Sequence, residues 1–201
     1  MDEVTSVARD LDSKQRRRLL SAATCSVAAG GVAGAAGLFV AVMNPSAKTK
    51  ATVQPVKVDV AKLAPGQMLV VNWRSIPVYV VKRTAAQLAS LSSPGGELID
   101  PDSQNADQPA YIRGADRSLR PDVLVVAGVC THFNCAPKYR PDPDAKASWQ
   151  GGFVCPCHGS LFDMAGRVFK GGPASDNLAV PPYFYESADV LVIGASAEDV
   201  V

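Results

Sequence analysis

Hydrophobic and polar positions divide the chain into an uncharged N-terminal stretch and a longer part that contains short apolar runs. Residues 19–47 carry no charged side chain, and the most apolar part of this stretch is residues 21–43. At about 1.5 Å of rise per residue, these 23 residues form a helix about 35 Å long. Because the hydrocarbon layer of a membrane is roughly 30 Å thick, the pattern predicts one transmembrane helix over residues 21–43.

Short apolar runs separated by turn residues begin at residue 56. Residues 56–83 contain three candidate strands, with Pro65-Gly66 and Arg74-Ser75 at the turns. The runs "MLVVNW" and "PVYVVK" are almost continuously apolar, which is typical of strands packed on both faces. Residues 84–91 start with Thr84, a good N-cap, and predict a short helix.

The rest of the chain reads as loops and further short strands. Residues 92–120 are predicted to be mostly loop, after which "VLVVAG" and "GGFVC" form strands that lead to Cys130 and Cys155. More strands are expected near residues 167–169, 177–180, 183–186 and 190–193. We therefore expect an antiparallel, all-β head over residues 56–201.

The segment before the apolar stretch is basic, with positive charges at Lys14, Arg16, Arg17 and Arg18. Such a flank keeps the N-terminus inside, so residues 1–20 are expected to be cytoplasmic and the head periplasmic, where disulfides persist. The run "RRRLL" is also similar to a twin-arginine export signal. No A-x-A cleavage site is followed by a plausible mature start, so the helix is expected to remain as an anchor in the bacterial inner membrane.

Residues 44–55 connect the predicted span to the head and show no apolar periodicity. Twelve residues can extend to roughly 40 Å at about 3.3 Å each. We therefore interpret this segment as a hinge linker.

The charge balance argues against one class of partner. The chain has 20 basic and 19 acidic side chains, so it has no strong overall field that would attract nucleic acid. Its length, 201 residues, suits one ordinary domain and a smaller element.

The candidate chemistry is concentrated in two segments, "CTHFNC" at residues 130–135 and "CPCHGS" at residues 155–160. Together they contain both histidines and four of the five cysteines of the chain. Since each segment follows a predicted strand, the two loops can meet at one end of a sheet. The ligand-type residues are Cys130, His132, Cys135, Cys155, Cys157 and His158.

Spacing leaves several chemistries open. Structural zinc sites favour other cysteine and histidine spacings, the C-x-x-C-H haem signature is absent, and a cysteine nucleophile does not explain a duplicated arrangement. The C-x-H and C-x-x-H pairs fit a 2Fe-2S cluster with two cysteines on one iron and two histidines on the other. One cysteine is then spare in each loop, and Cys135 and Cys157 could form a bridge in an oxidising compartment.

These two segments resemble the paired boxes of the Rieske iron-sulfur proteins. The segments "RRRLL", "MNPSA", "PGQMLVVNWRSIPVYVVKRT", "RSLRPDVLVVAGVC" and "FDMAGRVFKGGPASDNLAVPPYFY" extend the similarity to the Rieske subunit of a bacterial ubiquinol:cytochrome c oxidoreductase. The resemblance covers nearly the whole chain. Soluble Rieske ferredoxins and ring-hydroxylating oxygenases resemble it in the ligands but lack the disulfide.

The resemblance implies a Rieske-type head with a cluster-binding subdomain and assigns roles to the residues of the boxes. Cys130 and Cys155 would bind one iron, His132 and His158 the other, and Cys135 and Cys157 would form the disulfide. Ser160 lies where the family has a serine that bonds a cluster sulfide and raises the potential. A proline loop that covers the cluster would comprise Gly172, Pro173 and Ala174.

Three positions depart from the family pattern. Phe162 stands where respiratory members usually have a tyrosine whose hydroxyl bonds a ligand cysteine, so the potential is expected to be lower. Phe133 and Asn134 replace the usual Leu-Gly beside the docking surface. Phe133 and Leu161 could serve as docking residues or fill the core of the loops.

The resemblance also implies a function in a respiratory cytochrome bc complex. His158 would contact a quinol on cytochrome b and accept its proton, while the cluster takes one electron and a haem of cytochrome b the second. The head would then move on the linker to a c-type cytochrome subunit, within a dimeric multisubunit complex. His158 is chosen over His132 from the resemblance, because spacing does not rank them.

Three other functions are compatible with parts of the pattern. The chain could be a free-standing electron carrier, or the Rieske small subunit of another exported oxidoreductase such as an arsenite oxidase. A zinc-bound structural module would use some of the same ligands.

Overall fold

The computed structural model describes residues 2–46, 49, 54–144 and 148–196, with side chains from Ser13 onward. The chain divides into two units, Met1–Lys50 and Ala51–Val201. The first contains one long helix, and the second contains small antiparallel sheets.

The helix of the first unit, α1 (Asp2–Met43), is longer than the predicted span. Its segment Ser13–Met43 has 31 residues and is long and apolar enough to cross a membrane. The helix ends shortly before Pro45, because proline has no amide hydrogen and disfavours helical geometry in the residue before it. Residues 21–43 are thus confirmed as helical, and the basic flank belongs to the same helix.

The predicted linker, residues 44–55, is only partly described. Residues 47, 48 and 50–53 lie outside the described residues. The hinge therefore stays a prediction.

Three antiparallel sheets of three strands each are present in the described part of the second unit. The first has, in spatial order, β1 (Val56–Asp59), β9 (Val190–Ile193) and β8 (Tyr183–Tyr185). The second has β2 (Met68–Trp73), β3 (Ile76–Lys82) and β4 (Val123–Ala127). The third has β5 (Lys138–Arg140), β6 (Gly152–Val154) and β7 (Leu161–Phe162). The predicted all-β, antiparallel head is confirmed.

Strand β2 shows that an apolar run need not be buried on both faces. Leu69 and Val70 are 39% and 50% exposed, so the prediction for "MLVVNW" was wrong. The reason is position, because β2 is an edge strand that pairs only with β3 in the described sheet. The neighbouring run in β3 is buried as expected, with Val78, Val80 and Val81 fully enclosed.

The short helix α2 (Ala85–Ser90) lies where the sequence predicts it. Its capping box is complete, because the Thr84 hydroxyl accepts from the Gln87 amide and the Gln87 side chain accepts from the Thr84 amide. The predicted boundaries differ only at the end, where Leu91 is the C-cap.

Some strand assignments were wrong. Residues 167–169 form isolated bridges, Phe162 with Val168 and Leu98 with Phe169, and residues 177–180 form no strand. There the Asn177 side chain takes the place of a strand partner, since its Oδ1 accepts from the Val168 amide. The sequence pattern missed β5 and β7, which have three and two residues and are too short for a periodic signal.

One apolar core contains residues of the sheets and the first cysteine of each cysteine-histidine loop. Cys130 and Cys155 belong to the same buried cluster as Val125, Phe153 and Phe162. The loops that carry the chemistry are thus anchored at their first residue in the main core.

Buried tyrosines make the fold sensitive to alkali. Burial raises the pKa of Tyr185 to about 12, with a lowering effect of Arg120 and a raising effect of Asp122. Tyrosines of the unfolded chain ionise near pH 10, so the unfolded state loses protons that the folded state keeps. Stability present below about pH 10 is therefore lost as the pH rises toward 12.

We expect Tyr185→Phe to reduce this loss. The Tyr185 hydroxyl is buried and has no hydrogen-bond partner among the described residues, so its removal leaves nothing unsatisfied. Thermal unfolding followed by circular dichroism should show an unchanged or higher Tm at pH 7 and a smaller fall of Tm between about pH 10 and 12.

Tyr183→Phe is a comparison for the result at pH 7 only, because burial also raises the pKa of Tyr183 and its removal should likewise reduce the alkaline loss. The Tyr183 hydroxyl accepts from the Leu119 amide at 2.8 Å, so this variant should lose about 1 kcal/mol at pH 7. Equal alkaline sensitivity of Tyr185→Phe and the parent protein would contradict the assignment.

Candidate metal centre

The first candidate loop starts after β4 and passes over a tyrosine. Gly128 precedes it, and a Cβ there would come within 2.4 Å of the Tyr79 ring, so only glycine fits. The Tyr79 hydroxyl donates to the carbonyl of Pro137 at 2.9 Å, at the far end of the loop. One buried side chain thus supports both ends of the loop.

The two candidate loops repeat the same backbone turn. In the first, the Cys130 amide donates to the Cys135 carbonyl at 2.8 Å, and the Asn134 amide donates to the Cys130 carbonyl at 2.9 Å. In the second, the Cys155 amide donates to the Ser160 carbonyl at 2.9 Å, and the Gly159 amide donates to the Cys155 carbonyl at 3.0 Å. The fifth residue of each turn is left-handed, with φ of 57° at Asn134 and 73° at Gly159.

The loops differ in which position of this turn carries each ligand-type side chain. A cysteine is first in both, whereas the histidine is third in one loop, as His132, and fourth in the other, as His158. The spare cysteine is sixth in the first loop and third in the second. A repeated backbone therefore presents two unequal histidines.

A disulfide between Cys135 and Cys157 ties the loops together across 22 residues of sequence. The Cys155 sulfur lies within 4.8 Å of both disulfide sulfurs. Sulfurs bonded to each other are not thiolate donors, so these three cysteines do not act together as a ligand set. The bond leaves Cys130 and Cys155 as the thiols of the site.

Both remaining thiols are buried. Burial raises the pKa of the Cys130 thiol, the amides of His132 and Phe133 oppose this, and the neighbouring Cys155 thiol raises the pKa further. The Cys130 thiol therefore favours the protonated form unless a metal binds it, since a metal deprotonates the thiols that bind it.

The two imidazoles lie side by side. Their ring centroids are 4.7 Å apart with the planes at 79°. Nδ1 of the half-buried His132 is enclosed and has no hydrogen-bond partner in the described part of the chain, whereas His158 is exposed. A buried nitrogen without a hydrogen-bond partner fits a metal ligand, because an imidazole nitrogen can bind a metal ion in place of a hydrogen-bond donor.

The donor set fits an iron-sulfur group of mixed ligation. Two thiolates and two imidazoles are the donors for an asymmetrically held 2Fe-2S cluster. The structure places the thiol of Cys130 beside that of Cys155, and the ring of His132 beside that of His158. That these four residues together hold one cluster stays a prediction. Their assignment to individual irons stays a prediction.

Ser160 and the predicted proline loop are in contact. The Ser160 hydroxyl is buried and accepts from the Ala174 amide at 3.1 Å. A Cβ on Gly172 would lie 2.9 Å from Cα of Ser160, so the loop approaches closer than any side chain would permit. A serine hydroxyl that accepts from the backbone retains its own hydrogen to donate.

The rim of the site carries one exposed aromatic ring. Phe133 is 72% exposed and its ring centroid lies 4.3 Å from that of His132. Leu161 is half-buried, and Phe162 is fully buried. Phe133 therefore points to solvent and does not fill the core of the loop.

Sequence reasoning missed a contact of the first loop. The Thr131 hydroxyl donates to the Asp176 carbonyl at 2.8 Å and so joins the first loop to the segment that directly follows the proline loop. A threonine next to a cysteine carries no signal of this contact, because its partner is 45 residues away.

Two family profiles match the chain. The one described as "Ubiquitinol-cytochrome C reductase Fe-S subunit TAT signal" matches residues 8–46. The one described as "Rieske [2Fe-2S] domain" matches residues 103–182, which include both loops and the disulfide.

Curated relatives are similar over nearly the whole length. The "Ubiquinol-cytochrome c reductase iron-sulfur subunit" of Allochromatium vinosum is 48% identical, over 90% of this chain and 89% of the relative. The protein of the same name from Blastochloris viridis is 38% identical, over 92% and 96%. A solved structure, "Hyperthermophilic respiratory Complex III", is similar with a TM-score of 0.47 and 23% identity, over 83% of this chain and 98% of that chain.

The left-handed backbone of Asn134 predicts how substitutions there act. Asparagine tolerates this region and glycine is unstrained in it, whereas a Cβ without a polar side chain is disfavoured. We expect Asn134→Ala to lower the free energy of unfolding by roughly 1 kcal/mol and Asn134→Gly to be neutral or stabilising, measured by thermal unfolding.

Ala136→Gly is the control, since Ala136 is exposed and has no positive φ. It should be mildly destabilising. If alanine were as well tolerated as glycine at position 134, the backbone argument would be wrong.

Proposed function

This chain belongs to the family of ubiquinol–cytochrome c reductase iron-sulfur subunits with a Rieske [2Fe-2S] domain, and on that premise we propose how its residues transfer electrons from quinol to a c-type cytochrome. It is the electron-transferring subunit of a cytochrome bc complex. The observation that supports the proposal is a pair of loops with the same backbone turn, which carry two adjacent buried thiols and two adjacent imidazoles.

The ligand assignment follows from chemistry and the loop pattern. Cys130 and Cys155 would hold one iron, and His132 and His158 the other, with Nδ1 of His132 as the enclosed donor. When bound, the 2Fe-2S cluster supplies a one-electron acceptor whose reduction is linked to a proton through the imidazole ligands.

His158 is the residue we propose for contact with quinol. It is exposed, whereas His132 is half-buried and lies beside the Phe133 ring. Its outward ring nitrogen would accept a hydrogen bond from the quinol hydroxyl and then hold the proton. Exposure supports the choice of His158 over His132, which spacing could not make.

Apolar side chains around the histidines would support docking on cytochrome b. Phe133 is exposed at the tip and offers a rigid ring at little cost in side-chain entropy. Leu161 is partly exposed at the edge of the second loop. An apolar rim would exclude water around the proton-accepting nitrogen.

The anchor and linker would set where the head works. The chain is a membrane-anchored subunit, and its basic flank would keep the N-terminus in the cytoplasm and the head in the periplasm. Movement on residues 44–55 would let the head reach cytochrome b and then a c-type cytochrome subunit. The complex would be a dimer of such multisubunit assemblies.

The extended similarity favours this function over the alternatives. The relatives cover about nine tenths of the chain, including its N-terminal helix, and are named as ubiquinol–cytochrome c reductase subunits. A small subunit of an arsenite oxidase or a free-standing carrier would share the boxes without that extent of likeness.

Electron paramagnetic resonance of the reduced, purified full-length protein tests the cofactor and its proton linkage together. We expect a 2Fe-2S signal with nitrogen hyperfine coupling and a midpoint potential that falls as the pH rises, approaching about 59 mV per unit for one proton per electron. A colourless protein without a signal would indicate zinc instead. A pH-independent midpoint would contradict proton transfer at the histidine.

Phe162→Tyr tests the predicted low potential. Phe162 is buried in the core cluster that contains Cys130 and Cys155, and phenylalanine cannot donate a hydrogen bond to a cysteine sulfur. The tyrosine hydroxyl should stabilise the more negative reduced state and raise the midpoint potential in a redox titration.

Phe184→Tyr is the control, because Phe184 lies in β8, outside both cysteine-histidine loops and outside residues 167–177. It should leave the midpoint unchanged. An unaltered potential in the Phe162 variant would remove the argument.

A further inference from the structure

The segment that covers Ser160 is a closed loop with a narrow neck. Residues 167–177 leave and return at Gly166 and Leu178, where the Leu178 amide donates to the Gly166 carbonyl at 2.8 Å. Inside the loop, the Asn177 side chain accepts from the Val168 amide at 2.9 Å. Neighbouring segments also hold the first residues of the loop, since the Phe169 amide donates to the Leu161 carbonyl at 3.0 Å and the Lys170 amide donates to the Glu97 carbonyl at 2.8 Å. The returning side is held by the bonds of Asn177 and Leu178.

Arg117 sits against this neck with its side chain fully buried. Its Nη2 donates to the carbonyl of Leu178 at 2.8 Å, and its Nη1 donates to the carbonyls of Ala165 at 3.0 Å and Gly166 at 3.3 Å. Nε donates to the Gln108 side chain at 2.9 Å. One guanidinium thus bonds both sides of the neck.

Full burial of this cation is costly, so its bonds are important to the loop. Burial lowers the pKa of Arg117 to about 10, which Asp163 and Asp100 oppose and Arg167 reinforces. The side chain stays charged at neutral pH, and hydrogen bonds from a charged donor are stronger than neutral ones. Three carbonyls and one amide oxygen take the place of water around it.

The far side of the same loop contacts both cysteine-histidine loops. The Ala174 amide donates to the Ser160 hydroxyl, and Gly172 lies against the Ser160 backbone. The Asp176 carbonyl accepts from the Thr131 hydroxyl. A displacement of the loop at its neck would therefore move the groups that contact Ser160.

We propose that Arg117 is a positioning residue for the redox site, which it serves by closing the neck of loop 167–177 and so fixing the Ala174 amide on the Ser160 hydroxyl. The inference rests on the proposed function and on the role that the family resemblance implies for Ser160, a hydrogen bond to a cluster sulfide that raises the potential. Without Arg117, the Ser160 hydroxyl would lose its fixed orientation. The reduced cluster would then lose the hydrogen bond from that hydroxyl.

Arg83 offers a matched control on the same side of the domain. It is also buried and donates to the carbonyls of Asp116, Pro121 and Met164 and to the Ser118 hydroxyl. It bonds neither neck carbonyl. Loss of Arg83 should destabilise the fold by a similar mechanism without releasing the loop.

The experiment compares Arg117→Lys and Arg117→Gln with Arg83→Lys and Arg83→Gln in the full-length protein. Amide hydrogen exchange by mass spectrometry should rise over residues 171–176 in the Arg117 variants only. Variants of Arg117 and Arg83 with a comparable loss of Tm are then compared by redox titration. At a fixed applied potential, the reduced-to-oxidised ratio of the Arg117 variants should fall about threefold or more. This corresponds to a midpoint potential lower by roughly 28 mV, at about 59 mV per tenfold change. The glutamine variant should exceed the lysine variant, because lysine keeps the charge but not the fork of donors.

Gln108→Leu provides a milder variant if the arginine substitutions do not fold. It removes the acceptor of Arg117 Nε and should produce smaller changes of the same sign. Equal exchange or equal potential shifts in the Arg83 and Arg117 series would overturn the proposal, as would a loosened loop with an unchanged midpoint. A parent protein with no iron-sulfur signal would instead overturn the proposed function, and the exchange result would still decide the neck contact.

Discussion

The chemistry of this subunit depends on two short loops being held face to face, and the Cys135–Cys157 bond is the covalent part of that constraint. Each loop is one turn of the same backbone design, closed by two internal hydrogen bonds. Alone, neither loop holds enough donors for a metal group. Because the disulfide uses Cys135 and Cys157, the free thiols of the two loops are those of their first residues, Cys130 and Cys155, which are buried in the core.

Behind the loops, buried guanidiniums replace part of the apolar core. Arg83, Arg117 and Arg167 all reach the turn that follows β7, at the carbonyls of Met164, Ala165 and Gly166 and the carboxylate of Asp163. Such contacts are directional and strengthen in a low-dielectric interior, whereas apolar packing tolerates small displacements. Charge-assisted hydrogen bonds therefore fix the backbone of the turn that follows β7, next to the second cysteine-histidine loop.

The rim has the opposite character. Phe133 and His158 are exposed where the thiols of Cys130 and Cys155 are buried, so the thiols are shielded from water and the His158 imidazole faces solvent. This division follows from the offset of the histidines within a repeated turn, which places one imidazole at the third position and the other at the fourth. The offset turns a symmetrical backbone into a site with an inner and an outer histidine.

The sequence by itself determined the elements whose signal is local. Continuous apolar runs predicted β3 and β4, Thr84 predicted α2, and the two boxes predicted the spare cysteines that form the disulfide, Cys135 and Cys157. Only the tertiary structure decided that β2 is an edge strand with exposed Leu69, that His158 is the outer imidazole, and that Arg117 is buried. An arginine in a polar loop reads as solvated, because the carbonyls that enclose Arg117 come from residues 48 and 61 positions away. Burial and partnership are set by neighbours in space, which hydrophobic periodicity along the chain does not encode.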